Sequence, residues 1–225
     1  AGGKHAERVA LARTAVSYAS SYIQANAGDL DLLIKFVKDS ATSSSWHNRI
    51  AALSFVVNFY RRHQLVFSSD QKNELMEITQ TCLSDKRPEV QDGAREVLTV
   101  MMHFCSDLGI EQLSGVFSKM ARTKVPKEKF PNKRKKAYRK RLAGVLGLAA
   151  IVERFPYSVP HFVPDALVLM CRVAQDPGGA SGIIKRALAQ FKRTHNDEWS
   201  EHMLHFSQSQ LDWLQDFFLP NNYYA

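Results

Sequence analysis

Residues 88–105, PEVQDGAREVLTVMMHFC, decide the fold. Pro88 stands where the first turn of a helix tolerates proline, because the N–H there has no intrahelical partner. Glu89 beside it favours the positive end of the helix dipole. Behind them Val90, Ala94, Val97, Leu98, Met101 and Met102 recur three and four residues apart, the spacing of one helix face. The stretch therefore reads as a helix whose apolar face carries a small residue, Ala94, four positions ahead of a packing residue, Leu98.

The same small-then-packing pair occurs at Ala52/Val56, Ala143/Gly147 and Ala187/Phe191. Successive first members lie 42, 49 and 44 residues apart. A period of roughly 40–47 residues is that of HEAT-type helix pairs. A small residue at each position lets neighbouring helices approach closely. Apolar residues recur at helical spacing along nearly the whole chain, and alternation of the strand type is absent. Helices are expected near residues 5–25, 29–40, 45–63, 69–84, 88–105, 109–122, 133–155, 160–175, 180–194, 197–206 and 208–219. Ser69-Asp70 reads as an N-cap signal. Asp176-Pro177-Gly178-Gly179 breaks the chain, Pro156 and Pro160 frame a tight connection, and Pro220 stops the last helix. The expected class is all-α, a HEAT-like solenoid of antiparallel helix pairs. Its sections are 1–44 (helical), 45–122 (repeats), 123–141 (a basic insertion), 142–219 (repeats and a cap) and 220–225 (a tail). The competing architecture is an irregular helical bundle.

The 225 residues carry a formal net charge of +8. That charge is local. Lys119 to Arg141 holds 12 Lys/Arg and one acid, Glu128, a net of +11 that leaves −3 for the rest. Within it run Lys133-Arg134-Lys135-Lys136 and Arg139-Lys140-Arg141. Three readings compete: a solvated segment without a specific ligand, a nuclear import signal, and a polyanion site for nucleic acid, inositol phosphate or an acidic protein face. Phe130 and Tyr138 do not make the aromatic pattern of base stacking.

Chemistry of the catalytic kind finds no footing. P-loop, GxGxxG and GxSxG motifs are absent from the sequence, and the chain reads as a binding module and not an enzyme. Cys82, Cys105 and Cys171 are odd in number, widely spaced and set in apolar runs. They suit reduced thiols and lack zinc spacing. His202 and His205, with Glu198 and Glu201 nearby, have a spacing that a metal accepts, but a capping or solvated helix face accounts for them. No metal or cofactor is expected, and His195 ahead of Asn196 and Asp197 suits capping. The longest apolar run, Leu142 to Val152, is too short to span a bilayer, so no membrane partner is expected. The opening Ala1-Gly2-Gly3-Lys4 is not a natural start and suggests a piece of a longer chain.

After Pro220 the chain reads Asn221-Asn222-Tyr223-Tyr224-Ala225. A polar spacer leads to two aromatics and a carboxylate. Tyr224 combines a large apolar ring with a hydroxyl, and the carboxylate of Ala225 suits a lysine or backbone N–H groups, one way of capturing a chain end. A frayed terminus, or aromatics folded back on their own domain, is the alternative.

The ending hydrophobic-Tyr-any, Tyr223-Tyr224-Ala225, resembles the docking motif of proteasome activators. Residues 143–148 (AGVLGL), 155–160 (FPYSVP) and 191–199 (FKRTHNDEW), with His202, extend the resemblance. They resemble the C-terminal region of the proteasome activator complex subunit 4 family, the giant HEAT-repeat activators of the bleomycin-resistance type. The resemblance runs from about Ser45 to Ala225 and is strongest after Arg141.

The resemblance implies a solenoid that caps the 20S proteasome without ATP. Its tail enters between two α-subunits, with Tyr223 as the hydrophobic position, Tyr224 acting on the gate and the Ala225 carboxylate pairing a pocket lysine. It further implies residence in nucleus and cytoplasm, a link to DNA repair and acetylated core histones, and inositol phosphate binding elsewhere in the family's solenoid. The family's bromodomain-like Asn-Phe pair falls on His103-Phe104. The aromatic is kept there, and the amide is replaced by an imidazole. Acetyl-lysine binding at His103-Phe104 and direct nucleic-acid binding at Lys133–Arg141 stand as the alternatives to proteasome docking.

Overall fold

The computed structural model describes the backbone of residues 2–126, 131–175 and 180–218. Among these the chain is all-α, with eleven helices and no strand. In order they are α1 (Gly2–Tyr22), α2 (Ala27–Ala41), α3 (Trp46–His63), α4 (Ser69–Leu83), α5 (Pro88–Met102), α6 (Asp107–Ala121), α7 (Pro131–Arg154), α8 (Val163–Ala174), α9 (Ser181–His195), α10 (Trp199–His202) and α11 (Gln208–Phe218). A 3₁₀ turn, Met203–His205, follows α10.

Most ends sit within a few residues of the sequence expectation, and the departures have local causes. The cap of α4 is Ser68, one residue before the expected Ser69. Ser68 has a partner three residues on: the Gln71 N–H donates to Ser68 Oγ at 3.2 Å, and Ser68 N–H donates to Gln71 Oε1 at 3.0 Å. This reciprocal pair satisfies two orphan donors at once. Helix α8 starts at Val163 and not at 160, because the 160–162 segment makes a turn closed by Val163 N–H to Pro160 O. The segment expected as one helix over 197–206 divides into α10 and the 3₁₀ turn.

The chain forms two compact units, Ala1–Phe104 and Cys105–Ala225. In the first, α2 packs on α3 and α4 on α5. The leading helices α2 and α4 touch, as do the trailing helices α3 and α5, and α1 lies on α3. Short joins between paired helices make them antiparallel neighbours. In the second unit α6 pairs with α7 and α8 with α9. Here α6 touches α8 and α7 touches α9, and α11 closes on α8 and α9. Each unit thus repeats one plan, pair beside pair, as a HEAT-type array does.

The four small-then-packing pairs lie on the trailing helices α3, α5, α7 and α9, and all eight residues are buried. At α7 the smallness is mandatory. A Cβ on Gly144 would meet the Ala121 amide nitrogen and lie 2.7 Å from Phe117 O. A Cβ on Gly147 would strike the Phe117 ring. Helices α6 and α7 therefore meet backbone to backbone, with fully buried Phe117 laid across Gly147. Every residue from Ala143 to Val152 is buried, so this half of α7 is apolar on all sides, as a central helix must be.

Within the first unit, Arg49 on α3 ties two turns together. Its Nε and Nη2 donate to the Asp85 carboxylate at 2.8 and 2.9 Å, and its Nη1 donates to Ser43 O at 2.8 Å. The turn before α3 is thereby fastened to the turn before α5. Each side chain is 14% exposed, so the pair is largely shielded from water.

Candidate functional site

The tail residues Tyr223, Tyr224 and Ala225 lie outside the described residues. What the structure describes is α11, the helix that precedes them in the chain, and its surroundings. Helix α11 ends at Phe218, and its Leu211, Leu214 and Gln215 form one wall of a groove of about 280 Å³. Lys192 and Asn196 at the end of α9 form a second wall, and Trp199 and Met203 close it. Leu214 is buried at the base, while Met203 is 38% exposed at the mouth. Trp199 is braced by Phe206, ring centroids 5.8 Å apart.

The groove is held in place by histidine. His195, the last residue of α9, is buried. Its Nδ1 donates to Phe191 O at 2.9 Å, its ring stacks on Phe191 at 4.0 Å, and its Nε2 faces Ser158 O at 3.3 Å. The His202 ring meets His195 edge-on at 4.8 Å, and its Nε2 lies 3.6 Å from Glu198 Oε2. His195 therefore satisfies the Phe191 carbonyl of α9 and faces the 155–160 connection at Ser158 O. His205, Glu198 and Glu201 are exposed. Among the described residues no cluster of three or more His, Cys, Asp or Glu has metal-binding geometry.

His103 and Phe104 end the first unit. His103 caps α5, and its Nδ1 donates to Thr99 O at 2.7 Å. In the neutral ring that leaves Nε2 as an acceptor, the wrong polarity for an acetyl oxygen. Phe104 is 45% exposed and meets the edge of buried Tyr60 at a centroid distance of 6.1 Å. The ring is thus half committed to its own core.

The basic residues occupy the first three turns of α7. Lys133, Arg134, Lys135, Lys136 and Lys140 are exposed, while Arg139 and Arg141 are half-buried. The first turn carries no acid. Cations there add to the positive end of the helix dipole instead of opposing it, so this end of α7 is strongly electropositive.

Cys82 and Cys171 are buried and Cys105 is half-buried, all as thiols. Burial, with the nearby Asp85 charge, pushes the Cys82 thiol up to about 11 against a smaller opposing effect of Arg49. It is protonated and unreactive near neutral pH. Among the described residues no helix is long and apolar enough to cross a membrane.

The structure brings together what the sequence left scattered. Lys192, Asn196 and Trp199 fall inside the 191–199 motif, yet no sequence argument placed them on a groove with Leu211, Leu214 and Gln215. The available signal was the four-residue spacing of Lys192/Asn196 and Trp199/Met203, one helical turn each.

Comparison with known proteins gives the geometry its context. Residues 138–225 match the family described as "Proteasome activator complex subunit 4-like, C-terminal". The Homo sapiens protein named proteasome activator complex subunit 4 is 31% identical over 209 residues. The Bos taurus protein of the same name is 30% identical over 207 residues, and the Arabidopsis thaliana proteasome activator subunit 4 is 29% identical over 201. These alignments cover 86–87% of the chain but 11% of each relative, so the chain spans about a tenth of their length. The groove residues, α11 and the last residues of the chain all fall inside the matched 88 residues, so this segment is similar to the C-terminal region of the proteasome activator complex subunit 4-like family.

Proposed function

We propose that the chain serves an ATP-independent activator of the 20S proteasome and docks on the α-ring through Tyr223, Tyr224 and Ala225. The observation that carries this reading is the family match reaching residue 225, with a hydrophobic-Tyr-any ending in the sequence after α11. In this reading the Tyr224 ring fills a pocket between α-subunits and moves the gate, and the Ala225 carboxylate pairs a pocket lysine. Burying the two rings gives about 2–3 kcal/mol, and the charged contact adds about 1–3. Against the cost of association, an isolated tail binds at roughly 10–1,000 μM. Contacts from a longer solenoid make the event effectively intramolecular and tighten it.

The test is binding of the chain to purified 20S proteasome, with and without Tyr223–Ala225. Weak binding that vanishes on deletion, with helicity retained, is expected. Binding indifferent to the deletion, or a deletion that unfolds the domain, would sink the reading.

A second role is favoured by the seven cations on the first three turns of α7. They suit a polyanion (nucleic acid, an inositol phosphate or an acidic protein face) and equally a nuclear import receptor, in keeping with action in nucleus and cytoplasm. The link to DNA repair and acetylated core histones belongs to the same proposal. An acetyl-lysine reader at His103-Phe104 would need the His103 ring protonated, because Nδ1–H is engaged by Thr99. Titration of acetylated against unmodified histone peptides decides it, and equal affinity removes it.

A further inference from the structure

We propose that the exposed side of α9, together with the groove at its C-terminal end, is a docking site for an extended acidic peptide that carries one large apolar anchor. Such a site is independent of proteasome docking, and the experiment that reads it needs no proteasome.

Charge comes first. Helix α9 carries Lys185, Arg186, Lys192 and Arg193 and no acid. All four cations are exposed. The two pairs are seven residues apart, close to two full turns, so they lie on one side of the helix about 10 Å from each other. On that side only Ala189 and Gln190 stand between them, and Gln190 Oε1 accepts from Arg193 Nη2 at 2.8 Å. The negative end of the helix dipole accounts for Lys192 and Arg193 in the last turn, but not for Lys185 and Arg186 near the opposite end. Among the described residues Lys185 and Arg186 have no ion-pair partner, whereas Lys192 already has a contact within the chain. Lys185, Arg186 and Arg193 therefore supply the charge that a ligand would meet.

The basic side runs into the groove. Lys192 and Asn196, which form its α9 wall, continue the row begun by Lys185 and Ala189 at steps of three and four residues. Past them the chain turns acidic, and Asp197, Glu198 and Glu201 are exposed. Acids there repel an acidic ligand and so fix its direction. Its carboxylates lie along α9 toward Lys185, and its apolar anchor ends in the groove. At about 280 Å³ the groove falls just below the roughly 300–1,000 Å³ of small-molecule pockets and takes one large side chain. Met203, Leu211 and Leu214 supply a thioether and two aliphatic walls beside the Trp199 ring. An extended chain rises about 3.3 Å per residue, so about four acidic residues next to the anchor reach both cation pairs. One ring does not make the aromatic series on which successive bases stack, which favours a peptide over a single-stranded nucleic acid. One anchor and a few exposed charge contacts give weak binding, on the order of 10–1,000 μM.

The experiment titrates the full chain into a fluorescein-labelled peptide with a run of glutamates next to one phenylalanine, read by fluorescence anisotropy at low salt. Saturable binding is expected. Replacing the phenylalanine by alanine should weaken it about 10-fold, and so should Met203→Glu, which sets an acid at the groove mouth. Lys185→Glu/Arg186→Glu should weaken it by about 10-fold or more, and a peptide with lysines in place of the glutamates should bind that chain better than it binds the parent. Circular dichroism verifies that each variant folds. A readout free of substitutions is the Trp199 indole signal by NMR in the parent chain, which should move with the phenylalanine peptide and move less with its alanine version. No binding, binding that ignores the phenylalanine, or binding that ignores Lys185 and Arg186 overturns the site. An oligonucleotide or inositol phosphate that binds more tightly than the peptide, loses affinity in Lys185→Glu/Arg186→Glu and ignores Met203→Glu assigns this side of α9 to a polyanion and overturns the peptide.

Discussion

At the scale of single residues, two contacts carry clear consequences. Gly144 has no room for a methyl group, since its position against Ala121 and Phe117 is filled by backbone. Backbone does not rotate away as a side chain does. Gly144→Ala should therefore force α6 and α7 apart and cost about 1–3 kcal/mol or more, read as a lower midpoint in urea. Gly147→Ala meets the Phe117 ring instead, and pairing it with Phe117→Leu should recover part of the loss. A Gly144→Ala chain as stable as the parent would mean that the helices do not meet as described.

Asp85 is the second case. Burial alone would raise its carboxyl, but the hydrogen bond from Arg49, the backbone N–H groups of Arg87 and Lys86, and the Arg49 charge hold it below the ordinary 3.8. A lowered folded value means that the unfolded chain binds the proton more readily. The stability from this group is then full above the unfolded value and is lost as pH falls from about 3.8 through the folded value. Asp85→Asn should cost about 1–3 kcal/mol at neutral pH. It should also flatten the acid limb of the stability curve below about pH 4. An unchanged acid limb would show that the Arg49 pair does not form in solution.

At the scale of elements, α7 is one helix with two jobs. Its second half is buried all round and serves packing, while its first turns are basic and largely exposed. Cations at the positive end of a helix dipole cost a few tenths of a kcal/mol each. If the end binds a polyanion, affinity should fall steeply with salt. Changing Lys133, Lys135 and Lys136 to Gln should then reduce the log–log salt slope by about 2–3, measured by fluorescence anisotropy with a single-stranded oligonucleotide and with an inositol phosphate. A slope that ignores these substitutions, or no binding at low salt, ends the polyanion reading for this helix.

At the scale of the whole molecule, the periodicity of apolar residues was enough to read eleven helices, their pairing and the HEAT-like period. A helix that must bury one face leaves its period in the chain regardless of what covers that face. The long spacing between Ala94 and Ala143 was also legible, as a basic stretch leading into α7. The division into compact units at Phe104/Cys105 was not, because the join there reads like the other short joins between helices. The groove beside α11 was not legible either. Its walls come from α9, α10, the 3₁₀ turn and α11, residues 192 to 215, and their meeting depends on the turn after His195 and the break at Met203.

Sequence alone determined the helical class, the repeat, the location of the positive charge and the chemistry of the last three residues. All of these are properties of neighbours along the chain, where spacing and composition act directly. Tertiary structure decided that Gly144 brings two backbones into contact and that Gly147 makes room for the Phe117 ring. It decided that His103 spends its N–H on its own helix and Phe104 leans on Tyr60. It also decided that Lys192, Trp199, Met203 and Leu214 line one groove. Those relations arise between side chains up to a few dozen residues apart, and only the packing of helix on helix sets their distances.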